Sequence, residues 1–325
     1  MRAAVFDAGG APESFRIAEL PDPRPGDADV LIRVAAISIE GGDLADRRTG
    51  RTRYPGIPGY AAAGVIVALG RAVSRLRVGQ RVTSFALDGS HAELRVAPAA
   101  TTFAIPDGLD MGVAAAIPCG PGTAALALQL GNVSSGDTVL ITGATGGVGN
   151  AAVQIAAAKG ARVIGTSRSR ERLEKLRPMG LSDAIVIGDR PTSQQLHEMT
   201  DGRGADLLID TVGGDALTDG LLALADGGRA VMVGVIGGFN TPIDAGVLLL
   251  HRLTLTGCFL GPVMGEPATR ALIEDLLLAS AQGRFTVPVD ARFAFADIAA
   301  AHRHAETAGR VGRVIVSVLP EDFRT

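Results

Sequence analysis

The sequence predicts an α/β protein in which a mainly-β region is followed by a doubly wound parallel sheet. Three observations support this fold class. Short candidate strands separated by turn-rich pieces fill the chain before Pro118. Strand–helix alternation begins at Gly136, as in parallel sheets with crossover helices. Residues 139–170 contain a strand, a glycine-rich turn, a helix and a second strand in that order.

Composition bounds the class of protein. The chain has 325 residues, which is long enough for two domains, and it is 47% hydrophobic with 43 glycines and 17 prolines. Its net charge of −3, with aromatic residues at 4% and no tryptophan, gives no reason to expect a nucleic-acid partner. The first residues lack an apolar signal core, and prolines and glycines interrupt the apolar run 113–130. We therefore expect no membrane segment.

Cysteine usage favours a reducing compartment. Cys119 and Cys258 are far apart in the sequence and form no Cys-x-x-Cys pair. This pattern predicts a cytoplasmic protein and argues against a structural zinc site.

The first region is expected to be a compact, barrel-like domain, because short strands alternate with tight turns such as 21–27 and 77–80. The candidate strands are 3–6, 30–35, 64–69, 81–85 and 92–96.

The second region opens with an apolar strand at 139–141 that has the length and flanks of a fully buried strand. Gly143, Gly146, Gly147 and Gly149 then supply a turn whose backbone can pass close to a pyrophosphate. The helix that follows repeats small and apolar residues at helical spacing and ends before Gly160. Its free N–H groups favour a phosphate, so this turn predicts a dinucleotide site.

Later elements continue the alternation. The expected strands are 163–164, 207–210, 229–235, 254–259 and 311–318, and the expected helices are 216–224, 271–282 and 297–307.

The end of the second strand indicates which dinucleotide binds. NAD sites place an acidic residue there, whereas this strand continues into Thr166, Ser167 and Arg168, and the first carboxylate is Glu171. Hydroxyls and guanidiniums hold a 2′-phosphate, which a carboxylate would repel. We therefore predict NADP(H) as cofactor. In the alternative interpretation the arginines only begin a solvated helix, in which Glu171 and Lys175 form an i,i+4 pair.

Six segments together resemble the zinc-independent quinone oxidoreductase branch of the medium-chain dehydrogenase/reductase superfamily over almost the whole chain. They are PGYAAAGVIVALGRAVSRLRVGQRV (58–82), GSHAELRVAP (89–98), IPCGPGTAALAL (117–128), GATGGVG (143–149), DLLIDTVGG (206–214) and GRVGRVIVSV (309–318).

The resemblance implies a GroES-like, mainly-β catalytic domain plus a Rossmann domain with a doubly wound parallel sheet. The catalytic domain would comprise residues 1–118 and 263–325, and the NADP(H)-binding domain residues 119–262. The active site would then lie in the cleft between them. The resemblance also implies a homodimer, for which the strand 253–257 is a candidate edge.

Zinc-dependent relatives place a Cys where this chain has Ser38, and a Gly-His-Glu near position 60, where this chain has Gly59, Tyr60 and Ala61. The five histidines show no paired ligand spacing, and His302 and His304 lie on divergent faces of an expected helix, as surface or packing residues. We therefore predict no zinc.

Without a Lewis acid, conjugated acceptors are the expected substrates, because their negative charge delocalises as hydride adds. The predicted function is reduction of quinones or α,β-unsaturated carbonyls by NADPH. Two alternatives remain open: an enoyl or 2-alkenal reductase of a biosynthetic pathway, and a non-catalytic NADPH-binding protein.

Three residues are candidates for the chemistry. By resemblance, Thr123 begins a helix beside the nicotinamide, although it is equally interpreted as an ordinary helix residue. Tyr54 falls where the branch has an aromatic flanking the substrate, or it packs on the domain edge. Ser38 takes the place of an asparagine, and nearby Glu40 and Asp43 are either active-site groups or turn and helix-cap residues.

The cofactor contacts follow from the glycine turn, the basic strand end and the resemblance. They are Thr123, Gly146, Gly147, Val148, Gly149, Ser167, Arg168, Arg172, Val212, Gly234, Cys258, Phe259, Leu260 and Arg313.

Overall fold

A computed structural model describes residues 1–50, 56–307 and 309–318. The chain divides into two compact units: a split unit made of Met1–Gly122 and Gly261–Thr325, and a continuous unit, Thr123–Leu260. These divisions lie within a few residues of the predicted domain boundaries.

The strands are β1 (Arg2–Val5), β2 (Arg16–Glu19), β3 (Asp29–Ser38), β4 (Ala61–Leu69), β5 (Arg81–Phe85), β6 (Leu94–Pro98), β7 (Thr102–Ala104), β8 (Thr138–Thr142), β9 (Arg162–Ser167), β10 (Asp183–Val186), β11 (Ala205–Asp210), β12 (Leu224–Met232), β13 (Thr254–Gly257), β14 (Val289–Ala294) and β15 (Arg313–Ser317).

The helices are α1 (Gly41–Thr49), α2 (Met111–Ala116), α3 (Gly120–Leu130), α4 (Gly147–Ala158), α5 (Arg170–Glu174), α6 (Thr192–Met199), α7 (Asp215–Leu222), α8 (Ala245–Leu250), α9 (Pro267–Ala281) and α10 (Ile298–Glu306).

The split unit is mainly β, as the sequence predicts. Its seven-stranded sheet has the order β14-β15-β3-β4-β5-β7, with β6 also paired to β3, and β1 and β2 form a separate antiparallel pair. Only β14 and β15 run parallel in the seven-stranded sheet as described. Because β15 pairs with β3, residues from both parts of the chain share one apolar core that includes Val34, Ile37 and Val316.

The continuous unit contains a six-stranded, all-parallel sheet in the order β10-β9-β8-β11-β12-β13. The order reverses beside β8, so the chain moves outward in both directions from this strand, as in doubly wound folds. Every residue of β8 is buried, which explains its uninterrupted apolar core in the sequence. Parallel strands end at one edge, and that edge carries the glycine turn.

Candidate functional site

The glycine turn connects β8 to α4. Gly143 has φ 61°, a left-handed conformation that favours glycine, and Gly146 is the residue before the helix. A Cβ on Gly149 would lie 2.4 Å from the Gly143 carbonyl oxygen, so the turn closes this tightly only without a side chain there. The first N–H groups of the twelve-residue helix α4 have no partner within the helix and favour an anion.

The end of β9 supports this turn. The amide N–H of Ala144 donates to the Thr166 carbonyl at 3.0 Å, and the Gly143 N–H donates to the Thr166 hydroxyl at 3.3 Å. The hydroxyls of Thr145 and Ser167 are 3.3 Å apart. The structure therefore brings the predicted residue Ser167 next to the glycine turn.

The basic segment after β9 begins α5, and Ser169 caps this helix by accepting a hydrogen bond from the Arg172 N–H. Glu171 and Lys175 form the i,i+4 pair of the alternative interpretation, with 2.9 Å between their charged atoms. Arg168 is exposed, but Nε of Arg172 is buried and has no hydrogen-bond partner among the described residues. Burying an N–H without an acceptor costs free energy, which an anion placed beside it would recover.

Two loops follow β11 and β12 at the same edge of the sheet. A Cβ on Gly234 would lie 2.1 Å from the Thr211 carbonyl oxygen, so the two loops approach each other backbone to backbone. The Gly237 N–H donates to the Val212 carbonyl at 2.7 Å. The predicted residues Val212 and Gly234 thus lie in loops that pack against each other.

The segment after β13 lies beside the start of α3. The Cys258 N–H donates to the Met232 carbonyl at 2.8 Å, and the Cys258 thiol is 4.0 Å from the Thr123 carbonyl oxygen. Burial raises the pKa of the Cys258 thiol to about 11, so the group stays protonated and is a poor nucleophile. Leu260 is buried, whereas the Phe259 ring is mostly exposed.

The split unit contains a cluster of buried polar side chains around Glu40. The Ser38 hydroxyl donates to Oε1 of Glu40 at 2.8 Å, and the Arg313 guanidinium forms an ion pair with Oε2. Arg313 also donates to the Ile39 carbonyl at 2.9 Å. All these side chains are buried, so the charge of Arg313 is balanced by Glu40 within the unit.

Asp43 is the partner of Glu40 in a capping box at the start of α1. Its carboxylate accepts the Glu40 N–H at 2.8 Å and the Tyr60 N–H at 3.0 Å. Burial, together with the nearby Glu40 charge, raises the pKa of Asp43 to about 8 despite these bonds. The helix-cap interpretation of both acids is therefore confirmed, and Glu40 also carries the buried ion pair that sequence patterns did not predict.

Cys119 is near the same group, and burial and the Glu40 carboxylate raise the pKa of its thiol well above its usual value. The third candidate for the chemistry, Tyr54, lies outside the described residues.

A zinc site does not fit these residues. The Ser38 hydroxyl is hydrogen-bonded to Glu40 and Arg313, and a buried guanidinium there would repel a divalent cation. Among residues 1–50, 56–307 and 309–318, no group of three or more His, Cys, Asp or Glu side chains is arranged to hold a metal ion.

Comparison with known families decides the identity of the fold. Residues 26–107 match the alcohol dehydrogenase GroES-like domain, and residues 147–276 match the zinc-binding dehydrogenase family. The quinone oxidoreductase of Pseudomonas aeruginosa is 32% identical over 313 residues, covering 94% of this chain and 95% of that protein. The chain belongs to the quinone oxidoreductase branch of the medium-chain dehydrogenase/reductase superfamily. The GroES-like and Rossmann architecture predicted from the sequence is confirmed with it.

Some proteins similar to this chain are much longer. A mycocerosic acid synthase-like polyketide synthase of Mycobacterium tuberculosis is 32% identical over 304 residues, which are 90% of this chain but only 14% of the synthase. The solved structure of a mycobacterial protein complexed with NADPH has a TM-score of 0.89 and 29% identity, and the match covers 98% of this chain and all of that one (100%). Within the described part of the chain, no helix is both long and apolar enough to cross a membrane.

The superfamily implies a nicotinamide cofactor, and the continuous unit fits one. The glycine turn leads into the free N–H groups at the start of α4, and Arg172 supplies a buried N–H that lacks an acceptor among the described residues. Both features lie where the pyrophosphate and the adenosine end of a dinucleotide bind in this fold.

Proposed function

We propose that the chain is an NADPH-dependent reductase of quinones or α,β-unsaturated carbonyls that works without zinc. The observation that carries the proposal is the combination of the glycine turn with a strand β9 that ends in Ser167 and leads into arginines. The two carboxylates of α5, Glu171 and Glu174, are paired with Lys175 and Arg177. A 2′-phosphate would therefore find hydroxyl and guanidinium donors and no unpaired negative charge.

The cofactor contacts divide into three groups in this proposal. Gly146, Gly147, Val148 and Gly149 would contact the pyrophosphate, and the last three would do so through the free N–H groups at the start of α4. Ser167, Arg168 and Arg172 would bind the 2′-phosphate. The third group would meet the nicotinamide end and comprises Thr123, Val212, Gly234, Cys258, Phe259, Leu260 and Arg313. Of these, Val212 and Gly234 would approach the adenosine and the nicotinamide ribose. The proximity of Cys258 to Thr123, and of Val212 to the loop after β12, supports this third group.

The bound cofactor would supply a hydride, and the protein would supply orientation, a dry site and polar contacts. Quinones and enones spread the resulting negative charge over a conjugated system, so they need less help from a Lewis acid than a simple carbonyl does. Tyr54, Ser38 and Thr123 are the proposed contacts of the acceptor. Ser38 would act within the Glu40–Arg313 group, which holds its hydroxyl in one orientation.

The assignment of domains and partners is also proposed. Residues 1–118 and 263–325 would form the catalytic domain, and residues 119–262 the NADP(H)-binding domain. A homodimer would join two copies of β13, because this strand ends the parallel sheet and leaves one edge without a described partner. The two free cysteines support a reducing, cytoplasmic location.

The test is steady-state oxidation of NADPH with a panel of quinones, enones and enoyl thioesters, using protein whose zinc content is measured. Turnover by metal-free protein with one acceptor class is expected. Tight NADPH binding without turnover of any acceptor would favour the non-catalytic alternative. Activity that requires stoichiometric zinc would overturn the metal-free chemistry.

A further inference from the structure

Asp210 is a fully buried carboxylate at the end of β11. Its Oδ1 accepts a hydrogen bond from the Thr142 hydroxyl at 2.5 Å, and its Oδ2 accepts the Gly213 N–H at 2.7 Å. Burial raises the pKa of this group although both bonds favour the charged form. Burying an acid costs free energy, and the two hydrogen bonds offset part of that cost.

The carboxylate joins the ends of two neighbouring strands. Thr142 ends β8, directly before the glycine turn, and its hydroxyl also accepts the Thr211 N–H at 3.0 Å. The Thr211 hydroxyl in turn donates to the Thr142 carbonyl at 2.8 Å. The start of the loop after β11 is therefore fixed to the residue from which the glycine turn departs.

This loop, residues 211–214, fills the space between the glycine turn and the loop after β12. A Cβ on Gly143 would lie 2.6 Å from the Thr211 hydroxyl oxygen and 3.0 Å from Cγ2 of Val212. On the other side, a Cβ on Gly214 would lie 2.6 Å from the Gly237 carbonyl oxygen. Since neither side leaves free space, a shift of loop 211–214 would change both neighbours.

We propose that Asp210 is a positioning residue that holds loop 211–214 against the glycine turn and so aligns the nicotinamide half of the dinucleotide. The inference rests on the proposed function, because it assigns a consequence for NADPH. Asp210 acts through Thr142 and Gly213 and does not itself touch the cofactor. The adenosine half depends on Ser167 and Arg172, which are outside this set of hydrogen bonds.

The test compares two ligands, NADPH and 2′,5′-ADP, which carries the 2′-phosphate but lacks the nicotinamide. Asp210→Asn replaces one carboxylate oxygen by an NH2 group, so the Thr142 hydroxyl can no longer donate to it and neither remaining hydrogen bond is charge-assisted. We expect the Kd for NADPH to rise about tenfold, which corresponds to about 1.4 kcal/mol. The Kd for 2′,5′-ADP, which has one 5′-phosphate at the glycine turn and no nicotinamide half, should rise clearly less. Thr142→Val repeats this pattern, and Thr142→Ser, which keeps the hydroxyl, restores wild-type binding.

The matched control is Asp206→Asn, at the other end of the strand. Asp206 likewise accepts a backbone N–H, from Thr138 at 2.8 Å, but far from the carboxyl edge of the sheet. This control should leave both Kd values unchanged. Equal weakening of both ligands in Asp210→Asn would show a general loss of structure and overturn the inference.

Amide hydrogen exchange separates this inference from the proposed function. Exchange in residues 211–214 should be faster in Asp210→Asn than in the wild-type protein, with no ligand present. Unchanged exchange overturns the positioning role, whatever the ligand. If the wild-type protein binds neither NADPH nor 2′,5′-ADP, the proposed cofactor is overturned. Faster exchange in Asp210→Asn would in that case still support the role of Asp210 in holding loop 211–214.

Discussion

The Nε2 atoms of His91 and His302 lie 2.8 Å apart in the core of the split unit. Both rings are fully buried, and Phe15 packs against each of them. A hydrogen bond between two imidazoles needs one donor and one acceptor, so the accepting ring must be neutral and the two rings are never protonated together. Burial accordingly lowers the pKa of His91 to about 3 and that of His302 well below its usual value, with Arg95 and Arg47 adding repulsion.

This pair predicts that the protein loses stability in mild acid. A histidine with a depressed folded pKa binds its proton only in the unfolded chain, so stability falls as the pH drops below about 6.5. At pH 5 the loss should be about 2 kcal/mol for each histidine relative to pH 7. Urea unfolding of wild type and His302→Leu at both pH values checks this, and the variant should lose about half as much. His304→Gln, on the same helix but partly exposed, is the control for the replacement of a histidine.

The raised pKa of Asp43 predicts the opposite dependence of stability on pH. Its folded pKa of about 8 lies above the unfolded value, so the folded protein binds the proton more tightly. The stability due to this group therefore falls as the pH rises from about 4 through 8. When the pH rises from 6 to 8, the free energy of unfolding of Asp43→Asn should fall by about 2 kcal/mol less than that of wild type. Equal pH dependence of wild type and variant would contradict the raised pKa. Asp46→Asn, which removes another acid of the same helix, is the control for the loss of a carboxylate.

Arg168→Ala tests the 2′-phosphate contact. A charge-assisted hydrogen bond contributes about 1.5–3 kcal/mol, so the preference for NADPH over NADH should fall roughly tenfold to a hundredfold. The ratio of the two Kd values is the measurement, because it cancels any general change in the site. Arg170→Ala removes a neighbouring exposed arginine and should leave the ratio unchanged. Wild-type protein that binds NADH as tightly as NADPH would refute the assignment.

Gly149→Ala tests how closely the backbone at Gly149 packs against the Gly143 carbonyl in the glycine turn. The new methyl group would lie 2.4 Å from the Gly143 carbonyl oxygen and 2.7 Å from Cα of Ala144, so the backbone must shift. We expect dinucleotide binding to weaken at least about tenfold, with a loss of stability of about 1–3 kcal/mol from overpacking. Isothermal titration and thermal unfolding measure both effects. Gly188→Ala, where an added Cβ meets no atom within 4 Å, should change neither.

The proposed dimer predicts that charged residues introduced on α8 will weaken association of the two copies. Leu249 and Leu250 are 77% and 74% exposed, which is unusual for leucines of a folded core unit. Helix α8 ends four residues before β13, so in a dimer joined at β13 we expect the two copies of α8 to lie near the interface. Replacing both leucines by lysine would then bring four cations together and should convert the dimer to a monomer in sedimentation experiments. Leu130→Lys changes an exposed leucine at the end of α3 and should leave the dimer intact. A wild-type monomer at micromolar concentration would contradict the proposal.

Sequence patterns predicted the elements whose signals are local. The strand–glycine–helix unit was predictable because β8 is buried on both faces and the glycine spacing is imposed by the turn. The opposite faces of His302 and His304 also follow from helical periodicity, and the structure confirms them: the first ring is buried and the second partly exposed.

Elements without a periodic apolar signal were missed. Strand β10 is short and mostly half-exposed, and β2 is largely exposed, so neither has the uninterrupted or alternating pattern of a core strand. Helix α9 begins at Pro267, earlier than expected, because proline at the first helical position needs no N–H partner.

Contacts between distant residues were beyond sequence patterns altogether. Glu40 was predictable as a helix cap, but its ion pair with Arg313 requires β15 to lie beside β3. The same holds for the His91–His302 pair and for Thr142 with Asp210. In each case a side chain gains its role from a partner that is distant in the sequence and is brought near only by the folded structure.

The position of β15 in the split sheet also sets an order of synthesis and folding. While the chain is being made, the end of β3 at residues 36–38 has an open edge until residues 313–317 exist, and Glu40 is without its cation. The continuous unit needs no later residues for its own sheet and can fold first. A nascent chain thus passes through a stage in which the nucleotide turn is formed while the GroES-like half still exposes a strand edge. At that stage this half is most open to capture by chaperones or to aggregation.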